Sequence, residues 1–130
     1  MKTFAFRLYP KQDLKKELIS FTKENNLQAG FILTCVGSLK RATLRLANEN
    51  IVKNFEQKFE IVSLVGTLCQ EGVHLHISIS DDEGNTFGGH IQEGCIIYTT
   101  AEIVIGELED VVFSRKPDAQ TGFKELVISS

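Results

Sequence analysis

The chain has 130 residues, 42% hydrophobic and 24% charged, the composition of a folded globular domain and not of a disordered or low-complexity segment. Its formal net charge is −3 and its sequence pI about 5.6, which argues against strong autonomous DNA binding through a basic stripe. The densest basic stretches are Lys15-Lys16 and Lys40-Arg41, with Arg45 beyond.

No apolar run approaches the roughly 18 residues of a spanning helix, so no membrane span is expected. The start, Met1-Lys2-Thr3-Phe4, leads into alternating residues without the apolar core of a secretory signal. Three scattered cysteines, Cys35, Cys69 and Cys95, are odd in number and read as reduced, buried thiols of a cytoplasmic protein.

No repeat or linker divides the sequence, which reads as one domain over residues 1–130. Phe4, Phe6 and Leu8 alternate with Thr3, Ala5 and Arg7, predicting a strand over Thr3–Tyr9 that Pro10 ends. Asp13 can cap a helix in which Leu14, Leu18 and Phe21 form one apolar stripe, and Asn25, Asn26 and Gly30 supply its stop. Phe31 to Val36 is a mostly apolar run suited to a buried strand, with a bend at Gly37-Ser38. Ala42, Leu44 and Leu46 alternate with Arg41, Thr43 and Arg45, giving a strand with a cationic outer face, before a turn at Asn48-Glu49-Asn50. Further strands are expected at Phe59–Leu68, Val73–Ser80, Thr86–Gln92, Ala101–Leu108 and Phe123–Ile128. One main helix, N-terminal, against many strands predicts an α+β fold with a curved, largely antiparallel sheet.

The segment from His74 to Ile91 carries the chemistry. Gly84 suits the left-handed position of a three-residue loop, Asp82-Glu83-Gly84, closed by Asp81 opposite Asn85. That register pairs Ser80 with Thr86, Ile79 with Phe87, Ser78 with Gly88, Ile77 with Gly89 and His76 with His90. One face then gathers Leu75, Ile77, Ile79, Phe87 and Ile91, and the other His74, His76, Ser78, Ser80, Thr86, Gly88 and His90. A slip of one residue would mix the two sets and bury polar groups.

His74 and His76 are two positions apart on one strand, hence on the same side, and His90 lies opposite His76. All three histidines of the chain therefore meet at one spot. Three imidazoles so placed can converge on a divalent ion and leave its fourth position open, as in catalytic zinc sites. Zinc is the first expectation, although imidazole also suits nickel and iron. The missing side chain of Gly88 is expected to leave room on this face for a ligand or another subunit.

At this hairpin the sequence also resembles a family. Glu60 to Leu68 leads into His74-Leu75-His76, then Gly88-Gly89-His90, Glu93-Gly94-Cys95, Ala101 to Glu107, and Thr121 to Leu126. This succession, covering nearly the whole chain, resembles a stand-alone PPC domain, the "plant and prokaryote conserved" domain. The resemblance implies a homotrimer of α+β subunits whose fold is similar to that of the acetolactate decarboxylases, in which three histidines hold zinc. Those ligand positions carry over as His74, His76 and His90. The decarboxylase activity does not, because fold does not fix function. The family is also associated with DNA, and its plant members carry an AT-hook. This sequence contains no Arg-Gly-Arg-Pro element of that kind.

Arg45 shares the outer face of its strand with Arg41, where an arginine near a metal could hold a substrate carboxylate; solvated charges and inter-subunit ion pairs are the plainer readings. Glu60 and Glu102 are candidates for a general acid/base or a partner of a ligating histidine, although spacing alone does not place them near the hairpin. Ser38 lacks the flanking glycines of a nucleophile elbow, and Asp81-Asp82-Glu83 lacks the spacing of a calcium loop. Three classes of function remain: a metal-dependent enzyme or small-molecule binder, a DNA-associated protein, and a purely structural assembly module.

Overall fold

The computed structural model describes residues 1–48 and 50–130. Strand β1 (Lys2–Leu8) is followed by helix α1 (Leu14–Glu24) and the long strand β2 (Gly30–Arg45). Then come β3 (Val52–Phe55), β4 (Phe59–Cys69), β5 (Gly72–Ser80), β6 (Thr86–Ile91), β7 (Ile96–Glu107), β8 (Val112–Pro117) and β9 (Lys124–Ser129). The expected class, α+β with one N-terminal helix and a curved antiparallel sheet, is the one observed.

The helix forms where its apolar stripe and caps agree. Asp13 accepts from the Lys16 backbone N–H at 3.0 Å, and its second carboxylate oxygen accepts from Gly94 N–H at 2.7 Å. One side chain thus caps α1 and ties it to the turn before β7. Leu14 and Leu18 are fully buried, and Phe21 stacks on Phe6 with ring centroids 4.3 Å apart. The Asn25 N–H returns to the Phe21 carbonyl, and Asn26 takes a left-handed φ of 50°, so the helix ends at the expected place.

The sheet runs β1-β7-β2-β4-β5-β6, with every pairing antiparallel, and β6 pairs back onto the C-terminal half of β2. Strands β2, β4, β5 and β6 therefore close on themselves around a core that includes Leu39, Leu44, Phe59, Leu75, Ile77, Ile79 and Ile91. Phe59 packs edge-on against both Phe55 and Phe87, joining β3, β4 and β6.

Three expectations change. Gly37-Ser38 is no bend between two strands: β2 continues through it as one strand of 16 residues, absorbing the irregularity as register shifts against β7. Nor is Phe31–Val36 a buried strand, since Leu33 and Val36 expose 45% and 58% of their surface. Strands β3 and β8 are additions, because their short, polar and charged sequences carry little apolar alternation. The turn at Asn48-Glu49-Asn50 includes Glu49, which lies outside the described residues. On either side of it, the Ile51 N–H donates to the Asn48 carbonyl at 2.9 Å and the Leu46 N–H to the Ile51 carbonyl at 2.8 Å. Hairpin β8–β9 forms a separate two-stranded sheet, anchored by Phe113 in a small cluster with Ala29 and Cys69.

Candidate metal centre

The hairpin β5–β6 takes the register expected from its loop: His76 faces His90, Ile77 faces Gly89, Ser78 faces Gly88, Ile79 faces Phe87 and Ser80 faces Thr86. Gly84 holds φ +83°, and its N–H donates to the Asp81 carbonyl at 3.1 Å. The loop is drawn tighter by Asp81, whose Oδ1 accepts from the N–H groups of Glu83 and Asn85. Leu75, Ile77, Ile79 and Ile91 are buried, as the core face requires.

On the opposite face the imidazole centroids lie 5.0 Å (His74–His76), 5.1 Å (His74–His90) and 5.5 Å (His76–His90) apart. One nitrogen from each ring falls within 4.8 Å of the others, within reach of a shared ion. His74 and His90 are half-buried and His76 is exposed, and the three rings face a cleft. His90 Nδ1 is buried and, among the described residues, has no hydrogen-bond partner. An unsatisfied buried nitrogen is costly unless something coordinates it. That orphan, with one nitrogen of each imidazole converging, fits a divalent metal.

Burial pushes the His90 imidazole down to about 4 from an ordinary 6.5, helped by the nearby charges of Arg45, His74, His76 and Lys15. His74 is also pushed down, by burial, then by Arg115 and His76, against a smaller opposite pull from Glu125. Both rings are thus neutral near pH 7, the form that binds a metal.

The cleft over the histidines measures about 750 Å³. Arg45 enters it because β6 pairs with β2 on its other edge, so that Arg45 is the register partner of His90. Its Nε is buried and, among the described residues, without a partner. Arg41, by contrast, pairs with Glu56 at 3.1 Å and hydrogen-bonds Asn54, away from the cleft.

Glu60 and Glu102 do not line the cleft. Glu60 faces Ser38 and Ser80 at the far end of β5, and Glu102 is exposed on β7 opposite Arg7. Gly88 has a second role beside the one expected. It lines the cleft, as expected, but a Cβ there would also collide with the Ile77 carbonyl oxygen, so the glycine permits close strand approach as well.

Residues that local patterning did not single out come from hairpin β8–β9 and the β4–β5 turn. Arg115 donates to Thr67 Oγ1 at 2.9 Å and its backbone N–H to Glu71 at 3.1 Å. Lys124 and Glu125 complete the wall. Their spacing in sequence held no signal, because only the docking of the hairpin brings them over the histidines.

Two Synechococcus proteins, each a bifunctional protein GlmU, are 49% identical over 128 residues, which is 98% of this chain. The chain spans only about a fifth of their length (21% and 20%). A hypothetical protein of Salmonella enterica superposes with TM-score 0.96 at 43% identity, over 99% of this chain and 94% of that one. Two more distant structures share the fold. One is a metal-containing protein of Archaeoglobus fulgidus (TM-score 0.85, 24% identity, 98% and 94% covered). The other is a Bacteroides thetaiotaomicron protein for which DNA binding has been suggested (0.86, 23%, 96% and 91%). A Staphylococcus aureus protein similar to α-acetolactate decarboxylase shares it more loosely (0.57, 17%, 84% and 54%). The model of the Plants and Prokaryotes Conserved domain matches residues 1–109, and the chain belongs to that family.

Proposed function

We propose that this chain is a metal-binding protein that holds one divalent ion, zinc first, on His74, His76 and His90, with a small-molecule ligand beside it. The observation carrying this reading is the convergence of three imidazoles, one nitrogen from each lying within 4.8 Å of the others. The bound ion supplies a Lewis acid able to polarise a ligand oxygen. The protein supplies orientation: strand pairing fixes the rings, and Arg45, Arg115 and Lys124 set a positive wall beside them. Residues 1–130 act as one domain, with β8–β9 completing the cleft. The three buried free cysteines favour a reducing, cytoplasmic setting. No helix among the described residues is long and apolar enough to cross a membrane.

A homotrimer is part of the same reading. Beyond the family resemblance, it is supported by Leu33, Val36, Val62 and Val65, which expose 45–58% of their surface on adjacent strands β2 and β4. Elemental analysis of untagged protein tests the metal, with about one ion per subunit expected. Protein that carries none, and takes up none from added zinc, removes the proposal. Light scattering is expected to return three times the 14.5 kDa chain mass.

A DNA-associated role is the second reading, favoured by what has been suggested for the Bacteroides relative. The net charge of −3 works against it.

A further inference from the structure

Two guanidinium groups surround the site proposed for a cation. Arg45 is the register partner of His90 on the β2 side. Arg115 is held by Thr67, itself the register partner of His74, on the β4 side. Among the described residues the ion pairs are Met1–Glu109, Lys16–Glu93 and Arg41–Glu56, so no carboxylate pairs with the guanidinium of either cleft arginine. Lys124 adds a third positive charge against the two carboxylates Glu71 and Glu125, and Glu71 already accepts from the Arg115 backbone.

Positive groups in a half-buried cleft repel one another, and a divalent ion makes that worse. A guanidinium with a buried, unpaired Nε beside such an ion is favourable only when an anion lies between them. Resting on the metal reading above, we propose that the cleft binds a small organic carboxylate as co-ligand. Its oxygens are shared between the ion and Arg45, and Arg115 closes the opposite side. A carboxylate offers two coplanar oxygens that match the planar edge of a guanidinium in a bidentate pair. The cavity of about 750 Å³ leaves room for several further atoms.

Carboxylate and metal must then raise each other's affinity, because coupling between two ligands is reciprocal. The test is equilibrium dialysis of zinc, at fixed free zinc, in buffer lacking carboxylates and phosphate, then with added glycolate or inorganic phosphate. Glycolate is expected to tighten zinc binding on the order of tenfold, and phosphate by clearly less. In Arg45→Gln the glycolate gain disappears while zinc still binds, and in Arg115→Gln the gain shrinks. Wild-type protein that binds zinc equally with and without glycolate overturns the proposal, whatever the variants do. So does a larger gain from phosphate, or an undiminished glycolate gain in a folded Arg45→Gln. Absence of zinc binding in every buffer is a different failure, that of the metal reading itself.

Discussion

His76 and His90 are register partners across β5 and β6, with ring centroids 5.5 Å apart. Each is held by a strand whose opposite face is buried, through Leu75, Ile77, Ile79 and Ile91. The rings thus inherit the rigidity of the core, which would limit the entropy lost on fixing them around the proposed ion. His74 joins from the same strand as His76, its ring 5.1 Å from that of His90.

If the three rings act as one donor set, each single substitution should be about equally damaging. A full set of four structural zinc ligands gives about 10–16 kcal/mol, so one ligand accounts for about 3 kcal/mol, roughly a hundredfold in affinity. His74→Ala, His76→Ala and His90→Ala are each expected to lose about that much in zinc dialysis. Ser78→Ala, on the same face, is expected to bind as wild type. A histidine variant that keeps full affinity would take its residue out of the site.

The hairpin was legible because its information is local: a glycine at the loop, two-residue alternation on both strands, and all three histidines on one face. Arg45 was legible only as a residue type. What brings it to His90 is the closure of β6 onto β2, a pairing between segments far apart in sequence. Arg115 and Lys124 were hidden for the same reason, since β8 shows no strong alternation and its anchor Phe113 packs against Ala29 and Cys69 from distant segments. Glu60 and Glu102 show the converse: plausible chemistry by residue type, placed by long-range pairing outside the cleft.

Acid should weaken the metal-free fold through His90. Burial holds this imidazole at about 4 in the folded chain against 6.5 ordinarily, so the fold favours its neutral form. Above 6.5 both states are neutral and the contribution is complete. As pH falls from there towards 4, the unfolded chain takes up a proton that the folded chain refuses, and stability is lost. Melting curves of chelator-treated protein should therefore show a steeper fall in Tm over this interval for wild type than for His90→Asn. Parallel curves for the two would contradict the assignment.

Random duplex DNA should bind weakly, and binding should vanish by about 0.15 M salt, because phosphate contacts require a basic footprint that a net charge of −3 does not supply. Gel shifts across a salt series check this. Tight binding that survives high salt would bring the second functional reading to the front.

Gly88 separates two explanations of one residue. If it served only to keep the histidine face open, an added methyl group would leave the fold intact and obstruct only what binds there. The close approach of β5 requires something else: a Cβ at position 88 meets the Ile77 carbonyl oxygen, part of the backbone, which no side-chain rotation can relieve. The strands must separate beside the His76–His90 pair. Gly88→Ala is therefore expected to cost about 1–3 kcal/mol by thermal or urea denaturation, as overpacking does, and to lower zinc affinity as well. Gly84→Ala provides the contrast. At φ +83° it strains the loop, but its Cβ meets nothing within 4 Å, so it should lower stability by about 1 kcal/mol and leave zinc affinity unchanged. A Gly88→Ala protein that melts with wild type would leave only the open-face explanation.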